Sequence, residues 1–219
     1  GFPPQLALVI FSLLSSLSFS VRSNEAFSSS FRSHNGVPRG DPLSPLLFIL
    51  FIHDLPQALS QRGIRLFDTA LSYLLYADDL AIIADSPDDL QTALNNLSTY
   101  CVANNLTVNP SKTKCLSFFK GHFRPPTFSF GGFNLENVSS FNYLGVTFTT
   151  RLSASLHVKA VIAKCNSRIA HLFSKLPVKR LPLSVAIDLF DIFVFLIITY
   201  ALPVWLPSLS AYSFVALKG

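Results

Sequence analysis

No methionine occurs among the 219 residues, and Gly1 leads straight into an apolar stretch, so the chain reads as an excised piece of a longer polypeptide. Cysteine is scarce. The three, at positions 101, 115 and 165, form no CxxC and no paired spacing, which excludes a disulfide framework and a structural zinc site and makes a reducing compartment the default. None of the five histidines has a partner at metal-ligand spacing, so each is assigned a surface or core role. An apolar run long enough to cross a bilayer is missing too. The stretch 6–19 lacks the basic residues before it and the small-residue cleavage pattern after it that a signal peptide needs. The run 192–202 lies between Asp191 and Pro203 and falls well short of the roughly 20 residues that a span requires. Both are expected to be buried core helices, the first amphipathic, and no stable membrane association is expected. A hydrophobic share of 50% at this length excludes intrinsic disorder.

Charge divides the chain. Residues 1–110 hold 5 basic and 9 acidic side chains, whereas residues 111–219 hold 12 basic and 3 acidic, so the net +5 conceals a dipolar molecule. Between Lys112 and Arg180 there are 11 basic residues and one acid, Glu136. Such an imbalance suits a surface that lies against a polyanion, although lysine and arginine also serve solubility.

Pattern and turn residues point to mixed helix and strand. A Ser-rich hairpin is expected over 20–35, feeding a Gly- and Pro-rich loop at 34–43. Leu46, Leu47, Leu50, Phe51, Asp54 and Leu55 then recur at helical spacing, which predicts one helix from Ser44 to about Ser60. Strands are expected over 64–70 and over 72–84, the second folded on itself around Ala77, Asp78 and Asp79. Ser86-Pro87-Asp88-Asp89 supplies an N-cap, a proline in the first turn and acids over the positive end of a helix that runs to about Cys101. Short strands follow near 114–119, 127–130 and 141–148, with Gly131 and Gly132 turning the chain, and then helices over 152–176 and 183–201.

Chemistry is expected where Asp78 and Asp79 interrupt the apolar sequence Tyr73-Leu74-Leu75-Tyr76 and Leu80-Ala81-Ile82-Ile83. An acidic tip between strong strand formers is a local inconsistency, and such places tend to be functional. Two adjacent carboxylates repel unless a cation neutralises them, and oxygen-only ligands suit Mg²⁺ or Mn²⁺. Taken alone, the pair is equally an ordinary hairpin turn.

With its surroundings, the pair resembles the Tyr-Ala-Asp-Asp signature of reverse transcriptases. Gly36-Val37-Pro38-Arg39-Gly40-Asp41-Pro42-Leu43-Ser44-Pro45-Leu46-Leu47-Phe48 is similar to the second palm motif of that family. Leu106-Thr107-Val108-Asn109-Pro110-Ser111-Lys112-Thr113 resembles the segment after the long palm helix, and Phe141-Asn142-Tyr143-Leu144-Gly145 resembles the primer-grip turn. The Leu-Ser-Pro-Leu-Leu-Phe phrasing and the Ile-His-Asp-Leu-Pro that follows are closest to the non-LTR, LINE-type retrotransposon polymerases.

The resemblance implies an α+β fold: a polymerase palm, with an antiparallel sheet packed on helices, over residues 1–150, and a helical thumb- or connection-like region over 151–219. It implies RNA-directed DNA polymerase activity with Mg²⁺ (or Mn²⁺), on an RNA template, a DNA primer and dNTPs, in an intracellular ribonucleoprotein of the nucleus or cytoplasm. Asp78 and Asp79 would bind metal, and a further aspartate belongs in this family to a strand before residue 6, where this chain starts too late to contain it. Asp68 is not that residue, because order and spacing assign it to a strand or turn. Arg39, Gly40, Pro42, Ser44 and Tyr76 would contact template or incoming nucleotide, with Arg39 standing where the family more often has glutamine. Gly40 would let backbone approach a base or sugar; the plainer alternative is a turn glycine. Lys112 would approach the triphosphate, or is simply solvated. Tyr143, Leu144 and Gly145 would support the primer end, and Lys164, Arg168 and Lys175, on one helical face opposite Leu172 and Leu176, would track the duplex backbone. The alternative is a catalytically dead relic that keeps the palm fold and binds nucleic acid.

Overall fold

The computed structural model describes residues 3–24, 26–32, 36–38, 40–59, 63–119, 121, 124–177 and 181–208. They form an α+β protein that divides into two compact units, residues 1–100 and residues 101–219.

The first unit begins with helix α1, Pro4–Ser16, and a small hairpin of β1, Arg22–Ser23, and β2, Ala26–Phe27, extended by a bridge between Phe19 and Phe31. Helix α1 is not the buried core helix expected from its composition. Leu6, Leu8, Val9, Phe11 and Leu13 are all exposed and no residue of the helix is buried. Its sequence is apolar on nearly every side, so no single face was specified for burial.

The single helix expected over 44–60 is two: α2, Ser44–Phe51, and α3, Leu55–Leu59. Pro56 explains the break. It has no N–H to continue a ladder and its ring crowds the carbonyl four residues earlier, so it is accommodated only in the first turn of a new helix. Two hairpins follow. Strand β3, Ile64–Leu66, pairs with β4, Thr69–Leu71, and β5, Tyr73–Tyr76, pairs with β6, Asp79–Ile82. Asp68 lies in the turn of the first, as its position suggests.

Helix α4, Pro87–Ala103, starts as its sequence dictates. The Ser86 Oγ accepts the Asp89 backbone N–H at 3.1 Å, a cap that satisfies an otherwise orphaned donor, and donates to Asp89 Oδ2 at 2.8 Å. Ile52, Leu55 and Leu59, together with Ala93, Leu94, Leu97 and Tyr100, form the buried apolar set of this unit. Helix α3 and its preceding turn are tied to α4 by Tyr100 Oη donating to Asp54 Oδ1 at 2.6 Å and by Asn96 Nδ2 donating to the Leu59 carbonyl at 3.4 Å.

In the second unit β7, Lys114–Cys115, β8, Phe128–Phe130, and β9, Phe133–Asn137, make a three-stranded sheet of order β7-β9-β8, β7 running parallel to β9 and β8 antiparallel. The strand expected over 114–119 is therefore only two residues long, and β9 is not expected from the sequence, because it offers only Phe133 and Leu135 as apolar positions among Asn134, Glu136 and Asn137. A hairpin of β10, Ser140–Tyr143, and β11, Val146–Thr149, precedes the long helix α5, Ser155–Lys175. The last helix expected over 183–201 is segmented into α6, Leu183–Phe190, a π-helical turn at Asp191–Phe195, and α7, Leu196–Thr199, with α8, Leu202–Trp205, beyond a left-handed Ala201. One buried cluster joins Ala154, Val158 and Trp205, and another Val161, Cys165 and Val194. No single described helix is long and apolar enough to cross a membrane. Of the bent pair Leu183–Thr199 with Leu202–Ser208, which together has the length, Val194 and Trp205 enter these clusters, but Ile192, Phe193, Phe195 and Leu196 are exposed, so the run 192–202 is not the buried core helix expected.

Candidate nucleic-acid site

The acidic tip is built by register. Tyr76 pairs with Asp79, so the β5–β6 connection is the two-residue turn Ala77-Asp78. Ala77 has φ 53°, a left-handed backbone that costs an L-residue about 1–2 kcal/mol. That strain sits immediately beside the carboxylates, as is usual where chemistry needs a fixed backbone. Asp78 and Asp79 are both exposed, and no hydrogen bond or ion pair among the described residues engages either side chain. Tyr76, which immediately precedes this turn, is 65% exposed.

The donor set at this tip is oxygen only, open to solvent, and carries two adjacent negative charges. That suits a hard divalent cation. Among the described residues no group of three His, Cys, Asp or Glu side chains gathers there or elsewhere.

The Gly-Pro loop before α2 is ordered by its own polar groups. Ser44 is buried, and its Oγ donates to the Pro38 carbonyl at 2.6 Å, while Asp41 Oδ1 accepts the Leu43 N–H at 3.2 Å. Ser44 thus holds the loop in shape, with its hydroxyl already engaged. Gly40 has φ 86° with open space where a Cβ would stand, so its backbone angle, more than its size, demands glycine. Pro42 is exposed. Arg39 lies outside the described residues, as do Lys179 and Arg180 at the end of the basic stretch.

In the second unit Asn109 organises the segment carrying Lys112: its Oδ1 accepts the backbone N–H groups of Ser111, at 3.0 Å, and Lys112, at 3.3 Å. The Lys112 side chain is exposed. Lys114 is consumed otherwise, since its Nζ meets Glu136 Oε2 at 2.6 Å across β7 and β9. Lys164, Arg168 and Lys175 are all exposed on α5. At 100° per residue they share one stripe that borders the buried line of Val158, Val161 and Cys165, beside Leu172 and Leu176 and not diametrically opposite them.

Tyr143, Leu144 and Gly145 form the end of the β10–β11 hairpin. Tyr143 pairs with Val146, which leaves Leu144-Gly145 as a two-residue turn with φ 47° and 81°, the positive pair of a type I′ turn. Asn142 Oδ1 accepts the Gly145 N–H at 3.1 Å. Two residues that sequence reasoning passed over complete this place. Tyr200 Oη donates to the Leu144 carbonyl at 2.8 Å, and His157 Nδ1 accepts the Thr147 N–H at 3.3 Å. Their signal in the sequence was faint: a tyrosine at the end of an aliphatic run, and a histidine without a metal partner.

The sequence profile of the family described as reverse transcriptase (RNA-dependent DNA polymerase) matches residues 1–148, which include all four motifs. The chain belongs to the reverse transcriptase family. Membership implies a polymerase palm-type fold for the matched segment. The chain is 32% identical over 180 residues to the probable RNA-directed DNA polymerase from transposon BS of Drosophila melanogaster, covering 78% of this chain and 20% of that protein. It is 28% identical over 178 residues to the RNA-directed DNA polymerase from mobile element jockey of the same fly, covering 78% and 19%. To the Pol polyprotein from the type-1 retrotransposable element R2 of Popillia japonica it is 32% identical over 127 residues, covering 53% and 21%. The chain thus spans about a fifth of the length of the curated relatives it matches.

Proposed function

We propose that this chain is the palm and thumb-like part of an RNA-directed DNA polymerase of a non-LTR retrotransposon, adding deoxynucleotides to a primer 3′-hydroxyl on an RNA template. The observation that carries the reading is the Tyr76-Ala77-Asp78-Asp79 hairpin, whose exposed carboxylates stand on a strained turn inside the segment that matches the family. Divalent ions held there would activate the primer hydroxyl and stabilise the departing pyrophosphate. Asp78 and Asp79 would supply oxygen ligands on one side of the clamp, with Asp78 the principal one.

The remaining roles follow the same reading. Gly40, Pro42 and Tyr76, with Arg39, would contact template or nucleotide, and Ser44 would keep their loop in shape. Lys112 would face the triphosphate. The Tyr143–Gly145 turn would support the primer end, and Lys164, Arg168 and Lys175 would follow the duplex backbone, with residues 151–219 as the thumb-like region. A ribonucleoprotein inside the cell is the setting these roles require.

Primer extension on poly-rA with Mg²⁺ or Mn²⁺ tests the reading, using the longest translation product that contains this segment beside the 219-residue chain. We expect metal-dependent extension by the longer product and little by the 219-residue chain, whose described residues bring no third acidic, histidine or cysteine side chain to the pair. Robust incorporation by the 219-residue chain would show that the pair suffices. No extension by the longer product favours the catalytically dead relic, which would still bind nucleic acid.

A further inference from the structure

We propose that Tyr200 is a positioning residue for the primer end, holding the Leu144-Gly145 turn at a fixed height from the side of the C-terminal helices. The proposal rests on reading that turn as the primer support. Its basis is a closed set of interactions within the second unit. The Tyr200 hydroxyl donates to the Leu144 carbonyl at 2.8 Å, and the Tyr200 ring lies over Gly145 so closely that a Cβ built there would stand 3.1 Å from Cε1.

Tyr200 is itself anchored. It ends α7 just before the left-handed Ala201, and its own carbonyl accepts the Trp205 Nε1–H at 2.9 Å. Trp205 is 2% exposed in the cluster with Ala154 and Val158, and its ring meets that of His157 edge-on at 5.5 Å between centroids. His157 in turn takes the N–H of Thr147 on β11, the strand that leaves the turn. The hairpin is therefore gripped twice, at its tip by Tyr200 and along its flank by His157, with Trp205 joining the two grips.

The strain at the tip gives the grip a purpose. Leu144 has φ 47°, a conformation that a side chain adopts reluctantly and that persists only where surroundings over-determine it. Asn142 fixes one side of the turn through the Gly145 N–H, and Tyr200 fixes the other through the Leu144 carbonyl. A backbone held this way would limit the play of whatever rests on it, and misplacement by about 1 Å is enough to cost a reaction step heavily.

Tyr200→Phe keeps the ring over Gly145 and removes only the donor. Two measurements on the polypeptide used for primer extension follow from it. Amide exchange of residues 142–146 should quicken by about two- to tenfold, the range expected for loss of one net hydrogen bond. The apparent KM for primer–template should rise by a similar factor, while the KM for dNTP stays unchanged and the thermal midpoint falls by only a few degrees. Unchanged exchange overturns the grip. Quickened exchange with unchanged primer KM, in an enzyme that Asp78→Asn inactivates, overturns the positioning role and leaves the polymerase reading standing. No extension by the wild-type polypeptide, or extension that survives Asp78→Asn, overturns the polymerase reading and the primer role with it, and exchange alone then decides whether the grip exists.

Discussion

Two hairpins of this chain are alike in geometry and opposite in surroundings. The β5–β6 and β10–β11 pairs each close on a two-residue turn whose first residue is left-handed without being glycine, Ala77 at φ 53° and Leu144 at φ 47°. At the first tip the side chains of Asp78 and Asp79 reach solvent with no partner among the described residues. At the second, Asn142 and Tyr200 hold the backbone from both sides. One turn presents charge, and the other presents backbone. On the proposed reading, the same local strain would serve a metal-binding tip that must stay open and a support that must stay still.

The sharpest way to break this comparison is Asp78→Asn. It preserves size and the turn while removing the charge that would hold a cation, so metal-dependent extension should fall by roughly 10³ or more. Retention of more than about a tenth of the activity would reduce the first hairpin to a structural turn. Asp79→Asn should do less damage, since Asp78 is assigned as the principal ligand.

The next effect concerns the nucleic acid that both hairpins would serve. Each phosphate contact contributes about −0.9 to the slope of log K against log salt on a duplex, so four to six contacts give roughly −4 to −5. Replacing Lys164, Arg168 and Lys175 together with Gln should flatten that slope by about two to three units, at intact fold, because all three side chains are exposed on α5. An unchanged slope in a folded triple variant would show that the stripe is merely solvated. Lys114 serves as the contrast: its ion pair with Glu136 leaves it little to offer a phosphate.

Ala77→Gly sharpens the comparison from the side of stability. Relief of a left-handed Ala is worth about 1–2 kcal/mol, offset by about 0.5–1 kcal/mol of extra chain entropy for Gly, so the fold should gain about 0.5–1 kcal/mol. If the strained turn fixes the carboxylates, extension activity should fall several-fold in the same variant. A gain in both stability and activity would mean that strain at the acidic tip has no role.

How much of this was legible beforehand follows the physics of each signal. The acidic hairpin and the capped helix α4 could be read because side-chain chemistry and local backbone demand coincide there: Asp against apolar strands, and Ser86 three residues before Asp89. The break between α2 and α3 was also written in Pro56, but the apolar period running across it concealed the signal. Strand β9 was missed because its partners lie on both sides of it, β8 locally and β7 from 20 or so residues earlier, and pairing of that kind overrides weak propensity. The exposure of α1 escaped pattern reading entirely, since an apolar sequence announces burial without saying against what. Tyr200 was invisible for the same reason: its partner, the Leu144 carbonyl, is 56 positions away and carries no side-chain signature.

The smallest effect tests the flank of the second hairpin through His157. This histidine is buried, and its Nδ1 can accept the Thr147 N–H only while that nitrogen is unprotonated. Burial, and then the positive charge of Lys164, hold its pKa below the ordinary 6.5. The sign follows directly. Between the lowered value in the folded chain and 6.5, the unfolded chain binds more protons, so stability rises with pH across that interval. The contribution is complete above pH 6.5 and is lost as pH falls toward the folded value. Urea denaturation of the chain between pH 8 and pH 5 should therefore show a decline below about 6.5 that His157→Gln flattens while the Asp78→Asn chain retains it. Removing the Lys164 charge, as in the triple Gln variant, should lift the histidine's pKa toward 6.5 and make the decline shallower. If His157→Gln keeps the full decline, another group titrates there, and the flank of the β10–β11 hairpin is not fastened through this imidazole.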